Sequence, residues 1–350
     1  MNTSSGSTRR NVALFVGVLG MCGIFVAPTY AQVGLMGIEN SVLITYTPRY
    51  PAPQDTVLLE AQSSILDLEQ SELVWRANGE IIARGKGVTT ANIVAGTLGT
   101  ETEVEISVAA PDELSAIARA TIAPTHIDLL SDSSAYIPPF YRGRPRASAG
   151  TSLRLQAAPL FRRGGSNLTD SEINFIWKKN GEVLGSASGR GKSSAIIPVQ
   201  NLFGTDQITV EAHSLDGVLV NEASFSLSPA KPLLTLYQDH PLFGVMYYKA
   251  LGANTFVPGS EMTFVAVPYF AQATHAEDPA LSYEWRINGR LVPNARQDKI
   301  TINAANSRGI ALLNLTLAHS TNYYLDSRGS WGVTFSEDTS AIDQFGSFEQ

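Results

Sequence analysis

A five-residue pattern occurs three times in this 350-residue chain: Trp75-Arg76-Ala77-Asn78-Gly79, Trp177-Lys178-Lys179-Asn180-Gly181 and Trp285-Arg286-Ile287-Asn288-Gly289. The tryptophans stand 102 and 108 residues apart. Recurrence at about one domain length indicates one domain used three times. Asn-Gly is the strongest short hairpin signal, because a type I′ turn needs positive φ at both central residues. Asn tolerates that conformation and Gly adopts it without steric cost. The strand entering each turn therefore carries the Trp. Two residues earlier stand Leu73, Phe175 and Tyr283, and alternation along a strand puts each on the same face as its Trp. Every copy thus points a large apolar pair to one side.

The surroundings repeat as well. The first unit spans residues 41–124. A strand at 41–47 is ended by Pro48 and Pro51, and one at 56–61 carries Val57, Leu59 and Ala61 on one face. Ile81 and Ile82 continue the hairpin until Gly85-Lys86-Gly87 breaks it. Val104, Ile106 and Val108 then alternate with polar residues, and 118–122 closes the unit. The second unit, residues 125–229, offers Leu153, Leu155 and Ala157, then Trp177, then Ile208, Val210 and Ala212, and a hairpin at 215–218 leads into 224–227. The third, residues 230–335, offers Met262, Phe264 and Ala266, then Trp285, then Leu313, Leu315 and Leu317, and closes with 331–335. Residues 336–350 read as a flexible acidic tail. Only a few residues around Pro124 and Pro229 separate closing from opening strands, which predicts an elongated, semi-rigid rod.

Residues 1–31 read as a signal peptide. Arg9 and Arg10 precede an apolar run from 12 to 26, and Thr29-Tyr30-Ala31 is a small-residue cleavage pattern. The run is shorter than the ~18 residues that argue for a membrane span, and an uncleaved N-terminal anchor is the competing reading. Leu19-Gly20-Met21-Cys22 resembles a lipoprotein box, although Met21 stands where a small residue is wanted. Cys22 is the only cysteine, so cleavage after Ala31 leaves no disulfide and no thiol chemistry. Each unit must then rely on its own core, which is feasible for about 100 residues when 44% of the chain is hydrophobic.

A Trp on a central strand leading into a hairpin, in a unit without disulfides, resembles the exported immunoglobulin-like and PKD-like repeat proteins of bacteria. The resemblance covers roughly residues 41–335. It implies an all-β fold of three tandem immunoglobulin-like (PKD-like) β-sandwiches and an extracytoplasmic location, whether periplasmic, cell-surface or secreted. It also implies non-catalytic work as a spacer, an adhesin or part of an envelope or pilus assembly. The C-terminus departs from wall-anchored examples, with no sorting motif and no closing membrane span.

Charge and aromatics bear on partners. The chain after residue 31 has 23 basic and 32 acidic residues, which argues against general nucleic-acid binding. Acids concentrate in the first unit, while Arg142, Arg144 and Arg146 alternate beside Tyr141 in the second, with Arg162 and Arg163 beyond. Such asymmetry is suited to steering assembly or attracting an acidic envelope polymer; scattered solvated arginines are the plainer reading. Pro48-Arg49-Tyr50, Pro139-Phe140-Tyr141 and Pro241-Leu242-Phe243 each put an aromatic just after a proline. Kinked edge strands are the structural reading, and exposed platforms for sugar rings or a protein partner the functional one. The third segment is the richest, with Phe243, Met246, Tyr247 and Tyr248 in one short stretch, and the candidate ligand or partner surface is Phe140, Tyr141, Arg142, Arg144, Arg146, Phe243, Tyr247 and Tyr248. Envelope or appendage proteins are the first partner class, polysaccharide the second, and a membrane only through an uncleaved anchor.

Catalytic patterns are weak. Gly191-Lys192-Ser193 ends like a phosphate loop, but Ser186 stands where its first Gly belongs and no helix is expected to follow. The five histidines, His126, His213, His240, His275 and His319, form no H-E-x-x-H. No catalytic, cofactor or metal residue is assigned, although Asp128, Asp132 and Asp216 are candidates for weak calcium binding at a joint. Asn167 and Asn314 match the glycosylation sequon, without meaning in an exported bacterial chain.

Overall fold

The computed structural model describes residues 41–335 apart from 112–113, 258–260, 294–296, 304 and 306–307. The expected signal peptide with Cys22 and the expected tail lie outside the described residues. Within them the regular structure is nearly all strand, with one 3-10 turn at Asp170–Glu172 and no α-helix.

The first sandwich contains β1 (Val42–Thr47), β2 (Thr56–Ser63), β3 (Glu72–Ala77), β4 (Glu80–Lys86), β5 (Thr90–Val94), β6 (Thr102–Ala109) and β7 (Ser115–Ile122). One sheet has the order β1-β2-β5, the other β4-β3-β6-β7. The second contains β8 (Ile127–Ser133), β9 (Ser152–Pro159), β10 (Arg162–Arg163), β11 (Ser166–Asn167), β12 (Ile173–Lys179), β13 (Glu182–Val183), β14 (Gly189–Arg190), β15 (Ser194–Pro198), β16 (Asp206–Ser214) and β17 (Val220–Leu227). Its sheets run β15-β9-β8 and β13-β12-β16-β17, with β14 also on β12. The third contains β18 (Leu233–His240), β19 (Gly244–Ala250), β20 (Asn254–Val257), β21 (Glu261–Tyr269), β22 (Leu281–Ile287), β23 (Arg290–Leu291), β24 (Lys299–Asn303), β25 (Gly309–His319) and β26 (Asp326–Phe335). Its sheets run β19-β18-β21-β24 and β20-β26-β25-β22-β23. The fold is thus three tandem immunoglobulin-like β-sandwiches, each closed over its own core.

Each core is centred on its repeat tryptophan. Trp75, Trp177 and Trp285 are fully buried, as are the alternating residues Val57 and Leu59, Leu155, and Phe264 and Ala266 that face them from the second sheet. A buried indole N–H needs an acceptor. Trp75 Nε1 donates to Val88 O at 2.8 Å, Trp177 Nε1 to Lys192 O at 3.0 Å and Trp285 Nε1 to Gln297 O at 2.9 Å. In every case the acceptor precedes the last strand, in chain order, of the opposite sheet, β5, β15 or β24, so the indole joins the two sheets.

The Asn-Gly turns have positive φ at both residues in all three copies. Their asparagines do more than permit the turn. Asn78 Oδ1 accepts from Glu103 N at 2.9 Å, Asn180 Oδ1 from Gln207 N at 2.8 Å and Asn288 Oδ1 from Leu312 N at 2.8 Å. Each Asn backbone N–H in turn donates to the carbonyl of that same residue. The turn therefore clasps the neighbouring strand β6, β16 or β25 as well as reversing the chain.

Some boundaries differ from expectation. Gly85-Lys86-Gly87 does not break the first hairpin before its end; β4 runs to Lys86, which pairs with Glu72, and the irregularity lies instead at Ile82, which the register skips between Trp75 and Arg76. The closing strands β7, β17 and β26 each begin several residues before the expected starts, because every residue in them pairs with the strand before. The kinked-edge reading fails for all three proline-aromatic segments: Pro48-Arg49-Tyr50 follows the end of β1, Pro139-Phe140 sits in a turn between β8 and β9, and Pro241-Leu242-Phe243 forms the tip of the β18–β19 hairpin.

Asn78→Gly retains the conformational freedom of the turn and removes only the side-chain clasp. It is expected to lower the stability of the first sandwich by about 1 kcal/mol, measured by chemical denaturation at the transition reported by Trp75; a role limited to turn permissiveness would leave that transition in place.

Candidate functional site

β21 carries the continuous apolar run Phe264-Val265-Ala266-Val267. Phe264 and Ala266 enter the third core, while Val265 and Val267, 3% and 0% exposed, face the opposite way. A second, smaller core forms on that outer face from Tyr237, Val265 and Val267, covered by Tyr136, Val245, Tyr247 and Tyr269. Tyr136 comes from the second sandwich, in the segment between β8 and β9.

That segment is pinned to the third sandwich by backbone. Tyr136 N donates to Ala271 O at 2.9 Å, and Phe270 N donates to Tyr136 O at 2.7 Å. Ser148 Oγ donates to Phe270 O at 2.5 Å, and Asn322 Nδ2 to Ala149 O at 2.8 Å. Gly150, at φ +89°, fits beneath Asn322 and Gln272; a Cβ there would stand 2.2 Å from a side-chain atom of each. Ala135, Ala230 and Phe270 fill the joint, with Ile137, Tyr141 and Tyr269 around them. The first joint is thinner. Thr125 hydrogen-bonds to Pro51 and to Val220 and Asn221, and Arg163 reaches Glu101 at 3.9 Å.

Along β19 the ladder is interrupted. The step from Tyr237 to Asp239 on β18 is matched by the step from Val245 to Ala250 on β19, so residues 246–249 leave the register as a wide bulge. The bulge meets the pinned segment to form an open groove of about 590 Å³, lined by Pro139, Phe140, Tyr141, Arg142, Phe243, Val245, Met246, Tyr247, Tyr248 and Tyr269. Met246 and Lys249 also wall an adjoining cleft of about 490 Å³.

Six of the eight candidate surface residues thus come together: Phe140, Tyr141, Arg142, Phe243, Tyr247 and Tyr248. Arg144 and Arg146 are exposed on the same segment but outside the lining. Phe140, Phe243 and Tyr248 are 90%, 77% and 81% exposed. Phe243 stacks on His240 at 4.7 Å. Beneath them Tyr141 packs edge-on against Tyr269 and Phe270, Tyr247 tilts against Tyr237, and the Tyr237 and Tyr269 hydroxyls bond at 2.7 Å. Burial pushes the Tyr136 phenol up to about 12, and it also raises Tyr269, where the Tyr237 hydroxyl adds to the shift.

The first proline-aromatic segment, Pro48-Arg49-Tyr50, goes elsewhere. Thr47-Pro48 is cis, and Tyr50 lies at the first joint, where burial raises its phenol and Lys178, Glu211 and Glu222 stand near. The sequence reading missed Tyr269 as lining and Tyr136 as the bridge; the unbroken apolar run at 264–267, which marks a strand covered on both faces, was the available signal.

The remaining candidates are dispersed. Gly191-Lys192-Ser193 serves the second core, because Lys192 O receives the Trp177 indole and Ser193 Oγ donates to Asp170. His126 lies against Asp128, His213 against Glu211, and His319 Nδ1 accepts from the backbone of Thr321 and Asn322. Asp132 accepts from Ser133 N, and Asp216 pairs with Arg163 at 2.6 Å. Among the described residues no three His, Cys, Asp or Glu side chains are placed to hold a metal ion, and no helix is long and apolar enough to cross a membrane.

No protein-family model matches the chain, and no curated protein matches it. Several solved structures resemble it. The fibronectin(III)-like modules of Clostridium thermocellum CbhA are 14% identical over 53% of this chain and 94% of that one, with a TM-score of 0.25. The three N-terminal domains of the bacteriophage RB49 highly immunogenic outer capsid protein are 13% identical over 85% and 99%, with a TM-score of 0.25. The Bacteroides ovatus mixed-linkage glucan utilization locus protein SGBP-B, in complex with a mixed-linkage heptasaccharide, is 12% identical over 84% and 70%, with a TM-score of 0.19. None of these likenesses carries a function to this chain.

The raised phenols make the joint sensitive to base. A group whose folded pKa exceeds its unfolded value contributes fully below the unfolded value and loses that contribution as pH rises towards the folded one. For Tyr136 the window runs from the ordinary 10.0 to about 12. Native protein is expected to lose stability across that window, and Tyr136→Phe to flatten the loss, in denaturation curves collected against pH.

Proposed function

We propose that this chain is a non-catalytic, extracytoplasmic binding protein of the bacterial cell envelope. In this reading its three sandwiches, divided near residues 41–124, 125–229 and 230–335, act as a semi-rigid stalk, and the groove at the second joint is the binding surface. One observation carries the reading: Pro139–Arg142 and Phe243–Tyr248, about 100 residues apart in sequence, converge on one open groove whose rim is exposed aromatic rings.

The chemistry of the lining supports binding over catalysis. It contains no Ser, Cys, His, Asp or Glu, so no carboxylate or imidazole stands in the lining to activate its tyrosines. Of the partner classes, a polysaccharide suits it best. The C–H faces of sugar rings are drawn to the negative faces of aromatic rings, and an open trough admits a chain from either end. Envelope and appendage proteins remain the second reading, favoured by Leu242, 84% exposed beside Phe243 at the hairpin tip.

Affinity electrophoresis of the full chain through gels containing soluble polysaccharides tests the assignment. Retardation by a glycan, weakened roughly tenfold or more by Phe140→Ala with Tyr248→Ala, is the expected result, since stacked rings contribute on the order of 1 kcal/mol each. Gly150→Ala, which disturbs the joint without touching a ring of the groove, is expected to weaken it as well. Unretarded migration through every gel, with recovery of an envelope protein on Leu242 and Phe243, would move the assignment to the second reading.

A further inference from the structure

We propose that the groove takes an acidic polysaccharide, one bearing carboxylates on its sugar rings, in preference to a neutral one. The inference rests on the glycan reading above and specifies its ligand.

Charge and its placement single out this ligand. Arg142 is the only charged residue in the lining, and no carboxylate opposes it there. Arg144 and Arg146 follow at alternate positions on the same exposed segment, and Lys249 stands exposed at the adjoining cleft. Some arginines elsewhere are paired with acids, Arg119 with Glu105 at 2.8 Å, Arg163 with Asp216 at 2.6 Å and Arg328 with Asp326 at 3.0 Å; others, such as Arg84 and Arg154, stand in solvent, and what distinguishes Arg142 is its place in an aromatic lining. Neither Arg142 in the lining nor Arg144 and Arg146 along the same segment make a salt bridge among the described residues. The segment is also shaped to present them. A side chain at position 143 would meet the Tyr141 ring, with a Cβ 2.6 Å from Cζ and 2.8 Å from Cε1, so Gly143 lets Tyr141 lie back over its own backbone between two arginines.

The whole chain has a formal net charge of −7, which opposes general attraction of polyanions. A polymer with both carboxylates and ring faces satisfies the two parts of the site at once. Guanidinium forks bind carboxylates bidentately, while the rings between the charges stack on Phe140, Phe243 and Tyr248. A neutral glycan uses only the rings, and an acidic peptide only the arginines.

The test compares retardation of the full-length protein in gels containing polygalacturonate, the uncharged laminarin, or polyglutamate. Expected is strong retardation by polygalacturonate, decreasing as salt rises from ~50 to ~300 mM because exposed charges are screened. Arg142→Gln/Arg144→Gln/Arg146→Gln is expected to weaken it roughly tenfold, as loss of charge-assisted hydrogen bonds does, while leaving the circular dichroism spectrum unchanged. Equal retardation by laminarin, unaffected by the triple substitution, would overturn the acidic preference and leave the glycan reading standing. Equal retardation by polyglutamate would overturn it in favour of generic anion attraction. Migration unretarded by either glycan would overturn both.

Discussion

Everything in this molecule depends on one hydrogen bond repeated three times, from a buried indole to a backbone carbonyl of the opposite sheet. Without disulfides among the described residues, two sheets are otherwise held by apolar contact alone, which is strong but non-directional. The indole adds direction. Because it lies on the strand that ends in the Asn-Gly turn, and because the Asn clasps the next strand, a few residues fix the relative position of both sheets. The rest of each core varies freely around that frame: Tyr283 replaces Leu73 and Phe175 beside the Trp, and no aromatic in one unit needs a counterpart in the next.

That freedom is what the third unit exploits. Its opening strand β18 acquires a partner, β19, whose bulge interrupts the ladder, and its β21 is apolar on both faces. A sandwich needs neither feature for its own closure. Both are explained by the second sandwich, whose segment before β9 lies across the outer face and is held by reciprocal backbone bonds at Tyr136 and Phe270. The groove therefore belongs to the joint. Its floor is tyrosine packed on tyrosine, rigid through edge contacts and a hydroxyl pair, while its rim is aromatic rings left in solvent. Exposed rings of this size cost solvation unless something covers them.

The sandwiches were legible because their signals are local: alternation, Asn-Gly and a Trp two residues from another large apolar side chain. Val57, Leu59, Ile106, Leu155, Val210 and Leu315 all lie inside as the alternation requires. The site was half legible. Phe140 stood out as an aromatic just after a proline and Tyr248 as part of an aromatic-rich stretch, but their meeting is a tertiary fact set by how two sandwiches dock, and no spacing encodes it. Tyr136 was illegible for the same reason, since an aromatic in a loop is read as exposed until its partner surface is known. The asparagine clasps were missed differently. Asn-Gly already had a sufficient local explanation, and its second role appears only when the facing strand is in place.

The central claim is that the second and third sandwiches are locked together and that the lock builds the groove. Amide hydrogen exchange of the full-length protein at residue resolution tests it most directly. Locked sandwiches would give Tyr136 and Phe270 amides that exchange as slowly as those of the adjoining strands β9 and β21, whereas exchange at the rate of a free loop would show that the joint opens and that the groove is not a standing feature of the molecule.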